Sequence, residues 1–218
     1  MIYPVWRQDL VRSLHIHRSK AEAKYIQVAS VALDGKPKLR TMVFRGFHDA
    51  SNSLLAVTDI RSEKVSEWQA HPFTELHWYF AKSREQYRIS CELTLIFQTD
   101  GKIESFGSTT GDTSVQAKTY KQQWHALSDG ARAGFFCPAP KSEIYSAPDE
   151  QLIQHSDYEA GDKSLAMNEN QKAGISQHFA VVVFNPISVD YLDLKTKPHT
   201  RTLQSLENNL WKLVPVNP

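Results

Sequence analysis

Along residues 5–16, Val5, Trp6, Leu10, Val11 and Leu14 recur at three- and four-residue spacing behind Pro4, which predicts an amphipathic helix. From Lys24 the period changes to two. Residues 25–33 read as a strand, Asp34-Gly35 is a hairpin turn signal, and residues 38–47 return as a second strand. Its alternation places Leu39, Thr41, Val43 and Arg45 on one face and Arg40, Met42 and Phe44 on the other. A third short strand is expected at 54–58. Ser62 then stands as the N-cap of a helix over 63–71 that Pro72 ends. Strands follow at 73–81, 85–100 and 102–106, separated by Lys82-Ser83-Arg84 and by Asp100-Gly101.

The second half has a weaker rhythm. Residues 114–127 predict a helix with Val115, Thr119, Trp124 and Leu127 turned inward, and Ser128-Asp129 opens a shorter one to residue 136. Residues 138–176, with Pro138, Pro140 and Pro148, read as an irregular excursion to which no chemistry is assigned. Strands resume at 179–184, 188–195, 200–206 and 210–214, the last after an Asn208-Asn209 turn. No internal repeat is visible. The expected architecture is mainly β (α+β), an antiparallel β-barrel with peripheral helices in a single domain spanning residues 1–218.

Composition narrows the classes. Of 218 residues 41% are hydrophobic, and a net charge of +1 gives no electrostatic case for nucleic acid as a partner. The two cysteines, Cys91 and Cys137, lack CxxC spacing and suit a reducing compartment. Charge appears within the first seven residues, and no apolar run approaches the roughly 20 residues that span a bilayer. A cytoplasmic protein without a membrane partner is the expectation. The chain has no GxGxxG, no GxxxxGK[ST], no HExxH and no GxSxG. Its histidines are scattered; His15 and His17, at i,i+2, would not share a helical face, so no metal site is predicted. Catalysis would therefore fall to a cofactor.

Cations cluster where strands end. Arg40 and Arg45 bracket an apolar strand, Thr58-Asp59-Ile60-Arg61-Ser62-Glu63-Lys64 leads into a capped helix, and Lys197-Pro198-His199-Thr200-Arg201 precedes a late strand. Gln86 and Arg88 share one face of another strand. A phosphate monoester carries about −1.5 to −2 charges at neutral pH, so it calls for several cations and oriented N–H donors. Lys64 in the first helical turn opposes the helix dipole unless an anion binds there. A solvated Glu63/Lys64 pair is the plain alternative.

RTMVFRGF (40–47), TDIRSEK (58–64), REQYRI (84–89) and HTR (199–201) resemble the FMN-binding split barrels related to pyridoxamine 5′-phosphate oxidase. The closer similarity is to a branch of predicted oxidases that also carries the Trp78-Tyr79-Phe80 motif. The resemblance implies FMN bordered by Arg40, Thr41, Met42 and Val43, with Thr58, Ser62 and Lys64 at its ribityl phosphate. It further implies Gln86, Tyr191 and Arg201 on the cofactor side, with Tyr191 where the family places a tryptophan. Arg45, Lys197 and His199 fall on the substrate side, with Lys197 and His199 as the catalytic candidates. Arg45 replaces a lysine, and Lys197 stands where an arginine is expected over the substrate ring. These departures leave the substrate open, with pyridoxine or pyridoxamine phosphate one candidate. A homodimer with FMN between subunits and a small-molecule substrate are also implied. Two alternatives stay open: a flavin-binding protein without turnover, and tetrapyrrole binding through His77 or His125.

Overall fold

The computed structural model describes residues 3–49, 51–107, 112–142 and 174–218. Helix α1 (Val5–Ile16) is followed by strands β1 (Tyr25–Val31), β2 (Pro37–Val43), β3 (Gly46–Phe47) and β4 (Leu54–Asp59). Helix α2 (Glu63–Ala70) precedes β5 (Phe73–Phe80), β6 (Glu85–Thr99) and β7 (Lys102–Gly107). Helices α3 (Thr113–His125) and α4 (Asp129–Ala133), then β8 (Phe179–Asp193), β9 (Thr200–Glu207) and β10 (Leu210–Val216), complete the order. All strand pairs are antiparallel, and the main path runs β10-β9-β8-β6-β5-β1-β2.

The two long strands divide the barrel. β6 pairs with β5 along its first half and with β7 along its second, while β8 pairs with β9 at one end and β4 at the other. Two apolar clusters follow from this split. One joins Trp6 and Leu10 of α1 to Ile26, Val28, Trp78 and Tyr87. The other packs Tyr120 and Trp124 of α3 on Phe179, with ring centroids 5.0 and 5.1 Å apart. Burying these large rings supplies most of the driving force for closing the sheet. Among the described residues no helix is long and apolar enough to cross a membrane.

Three expectations are corrected. Segments 179–184 and 188–195 are one strand, because a register shift opposite Ser90/Cys91 accommodates Pro186 without ending the ladder. The strand expected at 38–47 stops at Val43; Gly46, at φ +123°, turns the chain so that Gly46 and Phe47 pair with β4. Val115 is exposed and Gln116 is buried, since Tyr120 and Trp124 at i,i+4 set the inward face of α3. Of the excursion at 138–176, the ends 138–142 and 174–176 hold no helix or strand, and 143–173 lie outside the described residues.

Candidate functional site

The passage from β4 into α2 is built by local charge pairing. Asp59 accepts from the Arg61 backbone amide at 2.8 Å and binds its guanidinium at 2.9 and 2.6 Å, while Arg61 also reaches the Cys137 carbonyl at 3.0 Å. Arg61 is therefore fully engaged. Thr58 is buried just before this turn. Ser62 occupies the N-cap position in extended conformation, as expected, but its hydroxyl caps nothing. That leaves both the hydroxyl and the leading helical amides available to an outside acceptor.

Arg40 points inward from β2. Its guanidinium binds Glu67 of α2 at 2.8 Å, the Ser30 hydroxyl at 2.5 Å and the Val28 carbonyl at 3.3 Å. Ser30 in turn donates to Glu67. Glu63 is exposed and paired with Lys141 at 2.5 Å. Lys64 forms no ion pair among the described residues. Burial lowers its pKa, and the nearby Arg40 charge lowers it further. The first turn of α2 thus carries a partly desolvated cation beside the Arg40–Glu67 pair, its charge opposed by Arg40 and only partly offset by Asp59 and Glu67.

A second group of residues lies on the outer face of the sheet. Register runs directly from Tyr79 on β5 through Gln86 on β6 and Leu192 on β8 to Arg201 on β9. The neighbouring row runs Thr41, Gln27, His77, Arg88, Asp190 and Leu203. Residues paired across an antiparallel sheet share a face, so Thr41, Val43, Gln86, Arg88 and Arg201 point the same way. Gln86 Oε1 lies 3.3 Å from His77 Nε2. Asp190 accepts from Arg201 at 2.9 and 2.7 Å and also pairs with Arg88. The hydrogen bond from Arg201, with help from Arg88, holds the Asp190 carboxyl below the usual range.

The remaining candidates divide differently. Met42 is buried on the inner face with Arg40. Tyr191 also points inward; its hydroxyl donates to Glu85 at 2.8 Å and its ring lies 4.8 Å from Tyr87. Burial raises the Tyr191 pKa well above that of an ordinary phenol. Arg45 is exposed on the turn after β2. Lys197 and His199 are exposed between β8 and β9, and His199 Nδ1 lies 3.0 Å from the Thr196 carbonyl. No hydrogen bond or ion pair joins either of them to another candidate among the described residues. His125 is exposed at the end of α3, apart from His77 in the sheet. No three His, Cys, Asp or Glu side chains among the described residues could hold a metal.

Sequence reasoning missed Glu67 and Asp190. Glu67 had no readable signal, because it stands at i,i+2 from Val65 and its burial comes from the packing of α2 on the sheet. Asp190 had none, since its two arginine partners are set by strand register.

Residues 3–97 match the family model described as the FMN-binding domain of pyridoxamine 5′-phosphate oxidase. Pyridoxine/pyridoxamine 5′-phosphate oxidase 2 of Arabidopsis thaliana is 30% identical over 192 residues, covering 88% of this chain and 84% of that protein. Among solved structures, a pyridoxamine 5′-phosphate oxidase-related, FMN binding protein of Nostoc punctiforme superposes with a TM-score of 0.81 at 29% identity, covering all of both chains. PhzG of Burkholderia lata, solved with tetrahydrophenazine-1-carboxylic acid, gives 0.67 at 14% identity over 100% of this chain and 98% of its own, a likeness of fold.

Proposed function

The chain belongs to the FMN-binding pyridoxamine 5′-phosphate oxidase family, and from that premise we propose that it is an FMN-dependent oxidoreductase acting on a small amine or alcohol. The observation that carries this reading is Lys64, a partly buried cation that forms no ion pair among the described residues, at the first turn of α2. A phosphate dianion there offsets the repulsion from Arg40 and the cost of desolvating the ammonium. The residues present fit the cofactor.

In this reading Lys64, the Ser62 hydroxyl and the leading amides of α2 hold the phosphate, with Thr58 beside the ribityl chain. Thr41, Val43 and the backbone of Arg40 and Met42 border the flavin, Gln86 addresses its ring and Arg201 completes the cofactor side, whereas Tyr191, which the family resemblance places there, faces the core and is spent on Glu85. FMN, when bound, supplies the two-electron acceptor that removes hydride from a substrate carbon and returns electrons to oxygen. Arg45, Lys197 and His199 orient the substrate in this reading, and His199 is the residue that accepts a proton from the substrate amine or hydroxyl. Tyr25, Leu39, Tyr79, Leu203 and Val214 are exposed apolar side chains on the same sheet face as Gln86 and Arg201. A second copy covering that face would bury these side chains, which supports a homodimer. The two free cysteines suit the cytoplasm.

The test begins with colour. Purified protein is expected to carry flavin absorbance and to consume oxygen with pyridoxamine or pyridoxine 5′-phosphate or a related amine. Lys64→Ala should weaken FMN retention by about 10- to 100-fold, the worth of one charge-assisted hydrogen bond. His199→Ala should spare retention and lower turnover. Equal FMN affinity in wild type and Lys64→Ala would end the phosphate assignment, and flavin-bound protein without oxygen uptake would favour a flavin carrier.

A further inference from the structure

Gln86 is held from one side only. On the outer face of the sheet its direct neighbours in register are Tyr79 and Leu192, and neither bonds to its amide among the described residues. The partner is diagonal. His77, two residues before Tyr79 on β5, places Nε2 at 3.3 Å from Gln86 Oε1. Both side chains are partly buried. This contact leaves the other end of the amide, Gln86 Nε2, without a partner among the described residues and free for whatever covers the face.

The chemistry of the contact decides which end that is. An amide oxygen only accepts, so His77 Nε2 carries the hydrogen whether its ring is neutral or charged. The opposite tautomer, with its hydrogen on Nδ1, would accept from the amide nitrogen and leave the carbonyl free instead. The neighbours of His77 leave its Nε2 to Gln86. Across β1 it faces Gln27, and across β6 it faces Arg88, which has no acceptor to offer and is paired with Asp190. Glu75, two residues back on the same face, takes the Ser90 hydroxyl at 2.8 Å.

We propose that His77 is a positioning residue: it holds Gln86 Oε1 so that the amide presents its N–H donors, and not its carbonyl, to the flavin. This rests on the reading above that Gln86 addresses the ring. The distinction bears on redox chemistry. Uptake of two electrons and one proton leaves a flavin with negative charge, which a fixed donor stabilises and a carbonyl oxygen opposes. A hydrogen bond to a charged group exceeds one to a neutral group by about tenfold in equilibrium terms. For a two-electron couple, a tenfold preference for the reduced form corresponds to about 30 mV.

The midpoint potential of the FMN-loaded protein tests this. His77→Phe keeps an aromatic ring on the strand and removes the donor, and it should lower the potential by about 30 mV while FMN affinity stays near that of wild type. In a Gln86→Leu background the same substitution should shift nothing, because His77 acts through the amide. Nitrogen NMR of histidine-labelled wild type, with the His77 signal identified by its loss in the variant, should show the hydrogen on Nε2. An unchanged potential in His77→Phe, an equal shift with Gln86 already replaced, or a ring protonated on Nδ1 alone overturns the proposal and leaves the flavin reading intact. Protein that takes up no FMN ends that reading and this proposal with it. If His77→Phe does not fold, His77→Leu is read in the same way.

Discussion

The Arg40–Glu67 pair offers a quantitative test of how the candidate phosphate site is held. Arg40 and Glu67 side chains are 22% and 4% exposed and meet at 2.8 Å, with Ser30 bridging them. Removing one member of such a pair strands the other charge in a poorly solvated place, at about 3–5 kcal/mol. For Glu67→Leu the lower end applies, because Ser30 and the Val28 carbonyl still accept from the guanidinium. A loss of about 3 kcal/mol corresponds to a fall of roughly 6–12 °C in melting temperature for a chain of this size. Arg40→Met should cost a similar amount by stranding the carboxylate. The double variant Arg40→Met/Glu67→Leu removes both charges and should recover most of the loss, since apolar replacements of buried pairs are often neutral. Urea unfolding of the four proteins yields the coupling energy directly, provided the slope m is constant across them. Single losses that simply add in the double variant would refute the reasoning, and Arg40 and Glu67 would then be independent surface-like charges.

Further outcomes follow from other contacts. Gly107→Ala should abolish soluble folded protein or lower its melting point severely, because a Cβ there would sit 2.0 Å from the Leu93 carbonyl oxygen at a backbone φ of +116°; a circular dichroism melt like wild type would contradict this. Asp190 has a folded pKa held down by Arg201 and Arg88, so its contribution is present above the ordinary carboxylate pKa and lost as pH falls through the lowered value. Asp190→Asn should therefore destabilise the protein at neutral pH and flatten the acid limb of a melting-temperature profile; an unchanged limb would remove Asp190 as a contributor. Burial raises the Cys91 thiol well above its ordinary pKa, whereas Cys137 is partly exposed. Native protein treated with iodoacetamide should carry one label, at Cys137, by peptide mass mapping, and equal labelling of Cys91 would contradict its enclosure.

The local signals in the sequence were strong where one element decides its own form. The α1 helix, the Asp34-Gly35 turn and the placement of Ser62 ahead of α2 all appear in the structure at the expected positions, although of the spaced apolar residues of α1 Trp6 and Leu10 are buried while Val5 and Val11 are exposed. The alternation in residues 39–44 correctly separated Thr41 and Val43 from Arg40 and Met42. Helical phase was less secure in α3, where Val115 and Gln116 exchanged places because Phe179, far along the chain, selects which aromatic stripe is buried.

The pairing of charges was of another kind. A run such as RTMVFRGF shows that cations stand beside apolar residues, and it shows their alternation, because both are properties of adjacent positions. It carries no information on which acid each cation meets. Arg88 and Asp190 are 102 residues apart and are joined by the register of β6 on β8. Arg40 finds Glu67 because α2 packs back over β1, and that packing leaves Lys64 without an ion pair among the described residues. Sequence by itself determined most of the elements, the two faces of β2 and the family, since these rest on period, turn chemistry and motif. The tertiary structure decided which side chains are spent on one another and which remain for a ligand, because Coulomb and hydrogen-bond energies depend on distances that only the folded sheet sets.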